Sequence, residues 1–132
     1  MSNKAKGSNV ERELVKIFTE NGWRAVRVAG SGVGEESPCD LIVGKVGGRG
    51  YTVEVKSSRG NYIYIKKSQI EDFIVFSNIL GLKAVLAVRF TFEGWLFLSP
   101  EQLEDSGKFF VVKREKAKLN GLKFGQFFEH DI

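Results

Sequence analysis

The chain has 132 residues, enough for one domain with a core of its own and too few for two, so residues 1–132 read as a single domain. Hydrophobic residues are 42% and charged residues 27%, no apolar run approaches the ~18 residues of a membrane helix, and the polar start, Met1 to Gly7, is no secretory signal. Twenty Lys and Arg against 16 Asp and Glu leave a net charge of +4, which is compatible with a polyanionic partner.

The first element is a helix over residues 8–21: Val10, Leu14, Ile17 and Phe18 recur at helical spacing, and Asn21-Gly22 ends it. Arg24 to Ala29 alternates, with Val26 and Val28 on one face and Arg27 on the other, which predicts a strand. Gly30 to Pro38 is a loop on composition, expected to contact the partner. Asp40–Val43 and Tyr51–Lys56 read as strands around a turn rich in glycine, and Tyr62–Ile65 as a possible extension of their sheet. Ser68 and Glu71 match a capping box opening a second helix that stops at Gly81. Ala84–Phe90 is a buried strand, Trp95–Leu98 another, Pro100–Leu103 a helical turn and Lys108–Lys113 a late strand; the basic end is partly irregular. The order predicts an α/β domain with a central mixed sheet flanked by helices.

The chemistry concentrates in Tyr51-Thr-Val-Glu-Val-Lys56. Strand alternation sends Val53 and Val55 to the core and places Thr52, Glu54 and Lys56 together on the other face. A hairpin centred on Gly47 pairs Ile42 with Thr52 and Asp40 with Glu54. Directly opposed residues have Cβ atoms about 4.5–5.5 Å apart. Two carboxylates at that range repel by roughly 3 kcal/mol at an effective dielectric of about 20. A divalent cation relieves such a pair, and hard oxygen ligands suit Mg²⁺. Glu11, at the edge of the first helix's apolar stripe, can supply a third carboxylate, and Lys56 stands beside the site to orient or deprotonate water or to neutralise phosphate charge. Plainer readings compete. Glu-x-Lys also fits a solvated ion pair, Asp40 a turn residue, and Ser8 to Glu11 a capping box. With one cysteine, Cys39, no intrachain disulfide or Cys-rich zinc site forms, and the one histidine, His130, lies near the end, so a His-centred triad is not expected. A reducing, cytoplasmic setting fits.

Glu11, then Asp40, then Glu54-Val55-Lys56 resembles the PD-(D/E)xK signature of the restriction-endonuclease-like fold. More narrowly, Lys6-Gly-Ser-Asn-Val-Glu-Arg-Glu-Leu14, Arg27-Val-Ala-Gly-Ser31 and Val53-Glu-Val-Lys56 resemble the archaeal Holliday junction resolvases, a likeness that extends to about Leu98. The resemblance implies a homodimeric, Mg²⁺-dependent endodeoxyribonuclease, with Mn²⁺ as an alternative ion and one or two ions per site. It would cut four-way DNA junctions in paired, symmetric nicks during recombination and repair, on the chromosome, and replication or repair proteins could recruit it. It implies Glu11, Asp40 and Glu54 as metal-binding acids, the Val55 carbonyl as a further ligand, Lys56 as catalytic lysine, and Ser31 and Arg12 near the active site. The family's Pro-Asp pair is here Pro38-Cys39-Asp40, and the loop acids Glu35 and Glu36 lie nearer the proline. The rival readings are a nuclease of the same fold acting on duplex or damaged DNA, and a non-catalytic nucleic-acid-binding module.

A second copy of the chain is also expected from the second helix. Ile70, Phe73, Ile74 and Leu80 share one face, Val75 and Ile79 point nearly opposite, and Phe76 lies between, so more than one side must be covered. Lys4, Lys6, Arg27, Arg59, Lys66 and Lys67 are the candidate phosphate contacts.

Overall fold

The computed structural model describes residues 3–29 and 37–129, with the side chains of residues 3–8 outside that description. It contains α1 (Asn3–Glu20), β1 (Arg24–Arg27), β2 (Leu41–Gly44), β3 (Tyr51–Ser58), β4 (Tyr62–Lys66), α2 (Lys67–Leu80), β5 (Lys83–Phe90), β6 (Leu96–Leu98), a 3-10 turn (Pro100–Gln102), β7 (Glu104–Asp105), β8 (Phe109–Lys113), α3 (Arg114–Asn120) and α4 (Phe124–Phe128). Five strands form a sheet in the order β1-β2-β3-β5-β6. Only β3 and β5 run parallel; the other neighbours are antiparallel, so the sheet is mixed, as the sequence predicts.

Strand β5 shows why its sequence is apolar almost throughout. Val85 and Ala87 pack with Leu14, Phe18, Val53 and Phe97 on the α1 side, while Leu86, Val88 and Phe90 pack with Ile70 and Phe73 on the α2 side. A strand buried on both faces has no polar positions to spare. The α2 side is closed further by a small sheet in the order β4-β8-β7, through Ile63, Ile65 and Val112. Tyr62–Ile65 therefore does not extend the main sheet; it pairs with β8 instead.

Several local expectations need correction. Helix α1 begins at Asn3, so Ser8 lies inside it and cannot cap it. Helix α2 begins at Lys67 with no side-chain cap bond, so the Ser68–Glu71 box is not used. Val26 alternates as expected but is 64% exposed, because β1 is the edge strand and only Val28 reaches the α2-side core. Leu80, expected on the buried face of α2, is exposed at the helix end. The C-terminal part is two helices rather than irregular chain. Phe128 of α4 is fully buried among Phe18, Trp23, Tyr51 and Phe97, with ring centroids 5.0–5.2 Å away.

Candidate active site

The β2–β3 hairpin turns through Gly47 at φ +78°, and its register pairs Leu41 with Val53, Ile42 with Thr52 and Val43 with Tyr51. That is the register expected from symmetry about Gly47, and it carries Asp40 to the level of Glu54. The strand ends irregularly there. The Asp40 amide donates to the Val53 carbonyl at 3.0 Å, and Asp40 Oδ2 accepts the Val55 amide at 2.7 Å. A carboxylate thus takes the place of a ladder carbonyl, which fixes its orientation.

Thr52, Glu54 and Lys56 share one face of β3, but that face is not open to solvent. Helix α2 covers it: Thr52 is buried and shares a hydrogen bond with the Ser77 hydroxyl, and Glu54 is 2% exposed. Helix α2 also brings a residue that the sequence reading missed. Gln69 Nε2 donates to Glu54 Oε2 at 2.9 Å, and its Oε1 accepts from Lys56 Nζ at 3.5 Å. The amide ties the acid to the lysine. Nothing in the sequence alone distinguishes Gln69 from a solvated helix residue; only the packing of α2 over β3 does.

Burial raises the Glu54 pKa to about 9, helped by a hydrogen bond and repulsion from Asp40 and opposed by Lys56 and Gln69. Two carboxyl groups this close disfavour ionising together, which is why the shift of Glu54 is upward. Cys39, buried beside them, is pushed up to about 12 by burial and by the charges of Glu54 and Asp40. Its thiol is a core group donating to the Leu41 carbonyl at 3.5 Å.

Glu11 is half-buried on α1, its pKa raised by burial and by Asp40 and lowered by Arg27, whose Nε lies 3.5 Å from Glu11 Oε1. The fold thus brings Asp40 and Glu54 into direct contact and Glu11 into electrostatic range of Asp40. Among the described residues, no three acidic, histidine or cysteine groups already stand as a metal-ligating cluster. Arg12 is exposed on α1, and Arg59 and Lys66 are exposed past β3 and at the end of β4. Arg27 is engaged by Glu11, and Lys67 by Asp105 at 2.7 Å and by the Phe110 ring. Ser31 and residues 30–36 of the Gly30–Pro38 loop expected to contact DNA lie outside the described residues, as do the side chains of Lys4 and Lys6.

Comparison with known proteins decides the family. The family model described as archaeal Holliday junction resolvase (Hjc) matches residues 2–131. The chain belongs to the archaeal Holliday junction resolvase family. It is 39% identical over 119 residues to the crossover junction endodeoxyribonuclease Hjc of Methanocaldococcus jannaschii, covering 90% of this chain and 84% of that one. It is 33% identical over 132 residues to the Archaeoglobus fulgidus enzyme of the same name, covering 96% and 94%. The solved structure of Archaeoglobus fulgidus Hjc superposes with a TM-score of 0.81 at 28% identity, over 92% of this chain and 93% of that one. The resolvase family's restriction-endonuclease-like fold is therefore the fold of this chain, and junction-resolving nuclease is its class. No helix among the described residues is long and apolar enough to cross a membrane.

Proposed function

We propose that the chain cuts four-way DNA junctions by metal-dependent hydrolysis at the Asp40–Glu54–Lys56 centre, as a homodimer. The observation that carries this reading is the carboxyl pair of Asp40, anchored on the Val55 amide, and buried Glu54, bridged to Lys56 through Gln69. A carboxyl pair held at such cost in a sheet needs a cation or a proton to persist.

The residues present fit a hard divalent ion, Mg²⁺ or Mn²⁺. Asp40 and Glu54 offer oxygen donors whose orientation is fixed, Glu11 stands within reach of their field, and the Val55 carbonyl is adjacent on β3. When bound, the ion supplies Lewis-acid polarisation of the phosphate and a lowered water pKa. The chain's own groups do the rest. Asp40 is oriented by the Val55 amide, and Glu54 by Gln69. Lys56, held toward Glu54 by Gln69, serves to orient or deprotonate the attacking water or to neutralise charge developing on the phosphate. Lys4, Lys6, Arg27, Arg59 and Lys66 serve as phosphate contacts, Lys67 does so at the expense of its Asp105 pair, and Arg12 and Ser31 act near the active site. Junction shape, rather than base sequence, then selects the substrate.

The dimer reading rests on α2, where Val75 and Ile79 remain 56% and 77% exposed beside Leu80. A second copy covering that face gives two centres for two strands. Recruitment to replication or repair complexes on the chromosome suits this activity.

The deciding experiment is cleavage of an end-labelled four-way junction with Mg²⁺, beside a linear duplex of one arm and an Asp40→Asn control. Paired nicks in the junction alone, absent in the variant, support the reading. Equal cutting of both substrates moves the substrate to duplex DNA, and no cutting with tight junction binding leaves a binding module.

A further inference from the structure

The turn between β5 and β6 carries a residue that the fold does not need. The Glu93 amide donates to the Phe90 carbonyl at 2.9 Å, closing a four-residue turn with Thr91 and Phe92 at its corners. Phe92 takes φ +68°, and it is the one non-glycine residue with positive φ among the described residues. Its position in the turn is one where glycine or asparagine is at ease and a bulky side chain is strained. The ring is also 98% exposed. Glycine at this place would relax the backbone and remove an apolar group from water. Strain and exposure kept together at one position point to a role outside folding.

The surroundings indicate what that role acts on. The Thr91 amide donates to the Ser58 carbonyl at 3.1 Å, which ties the turn to the end of β3. Beside it opens a groove of about 370 Å³ lined by Ser57, Ser58, Arg59, Arg89, Thr91 and Phe92. Arg59 is exposed, and Arg89 is held in place by Glu13 at 2.8 Å. Hydroxyls and guanidinium groups are phosphate ligands, and an aromatic ring is a stacking platform for any base. The groove starts one residue beyond Lys56. Ser58 lies four residues from Glu54, about 13 Å along the strand. Catalytic centre and groove are thus stations on one strand, spaced as about four base steps along a DNA strand.

We propose that Phe92 is a DNA wedge that stacks on a base exposed at the crossover of a four-way junction, with Arg59 and Arg89 holding the flanking phosphates. The inference rests on the junction-nuclease reading above and adds to it a residue that separates junction from duplex. At a crossover a base-pair face is open or readily opened. In a linear duplex every step is stacked and must be unstacked first. The wedge therefore contributes to junction binding and little to duplex binding.

The test is a titration of a four-way junction and of a linear duplex of one arm, without divalent metal, using the full chain and its Phe92→Gly and Phe92→Trp variants. Phe92→Gly keeps or raises the melting temperature, weakens junction binding about tenfold, and changes duplex binding less than about twofold. Phe92→Trp retains junction affinity. A 2-aminopurine placed at the crossover brightens on binding the unaltered protein and brightens less with Phe92→Gly. Unchanged junction affinity in Phe92→Gly overturns the wedge. So does equal loss on both substrates, or conversion to a monomer by light scattering, which would make Phe92 an interface residue. If the unaltered protein shows no preference for the junction, the junction-nuclease reading itself falls and takes the wedge with it.

Discussion

Asp40 and Glu54 sit at one level of the β2–β3 hairpin, with the Asp40 carboxylate anchored on the Val55 amide and the Glu54 carboxyl buried beside it, its pKa raised to about 9. On the reading proposed above, neutralising Asp40 or replacing Glu54 relieves the pair and disables the centre at the same time. As proposed ligands of a divalent ion, Asp40→Asn and Glu54→Gln are expected to reduce junction cleavage at least ~10³-fold, because such an ion supplies several kcal/mol of transition-state charge stabilisation. Asp40→Asn should leave junction binding intact or tighter, since a negative charge near phosphate is gone, and Glu54→Gln should leave it intact, since a buried, protonated carboxyl has no charge to lose. Single-turnover cleavage and metal-free binding titrations separate the two effects. Binding lost in parallel with cleavage would count against the assignment.

The same pair sets a pH dependence. Glu54 has its pKa raised to about 9 in the folded chain. In the unfolded chain it titrates near its ordinary value, about 4.3. The folded state therefore binds the proton more tightly. This contribution to stability is fully present below the unfolded pKa and is lost as pH rises towards the folded one. The metal-free protein is expected to melt at progressively lower temperature between about pH 5 and 9, at most ~1.4 kcal/mol per pH unit from this group. Glu54→Gln should flatten that slope. Binding of Mg²⁺ at pH 7 should release a proton, detectable as a buffer-dependent heat in calorimetry. A metal-free melting temperature that climbs over this range in the unaltered protein would contradict the raised Glu54.

Gln69 is the group whose loss should distinguish positioning from structure. It donates to Glu54 and accepts from Lys56, so Gln69→Ala frees both and leaves a buried carboxyl oxygen without its donor. Supporting hydrogen bonds of this kind are typically worth about 10–100-fold in metal affinity or activity. Gln69→Ala should lower single-turnover cleavage by that order and shift its Mg²⁺ requirement upward, with a stability loss of only about 1–2 kcal/mol. Equal metal requirement in the variant and the parent would reduce Gln69 to a packing residue.

How much of this was legible beforehand follows from what each signal depends on. Period-2 alternation in β3 and the single glycine centre of its hairpin are local, so the Asp40–Glu54 register could be derived from residue numbers alone. The role of α2 was not local. Its sequence gives a helix, but not that it lies over the polar face of β3, so the burial of Thr52 and Glu54 and the contact to Gln69 stayed hidden. The capping boxes failed for a related reason. Ser8 and Ser68 match the spacing, yet both helices start upstream of them, one at Asn3 and one at Lys67. The C-terminal helices were obscured by charge. Charged residues crowd the start of the segment after Lys113, with Arg114, Glu115, Lys116 and Lys118, while the phenylalanines that complete the core, Phe124, Phe127 and Phe128, come in a cluster too short to show helical periodicity.

That cluster yields a stability prediction. Phe128 is enclosed by four aromatic side chains from α1, β3, β6 and the α1–β1 turn, and no solvent reaches it. Phe128→Ala leaves a cavity that rigid rings cannot collapse to fill. The expected loss is about 3–5 kcal/mol, which lowers the melting temperature by more than about 10 °C. Thermal unfolding by circular dichroism measures it. A loss below about 1 kcal/mol would mean that α4 is docked only loosely.

The exposed side of α2 bears on how two cuts are coordinated. Ile70 and Phe73 are buried against the sheet, whereas Val75 and Ile79 face outward from the same helix. An outward pair of β-branched residues on a helix gains nothing from water and is expected to meet a second copy of the chain. Val75→Glu combined with Ile79→Glu should convert a dimer to a monomer, seen by light scattering at micromolar concentration. Both residues are exposed while Glu54 is buried, so each proposed centre is expected to keep its chemistry. Cleavage should then change in kind rather than vanish: supercoiled plasmid carrying a cruciform should give nicked circles instead of linear product, because the two strands are no longer cut within one bound complex. A monomeric parent protein would remove the premise. A monomeric variant that still linearises the cruciform in one binding event would show that pairing of the cuts does not depend on this face.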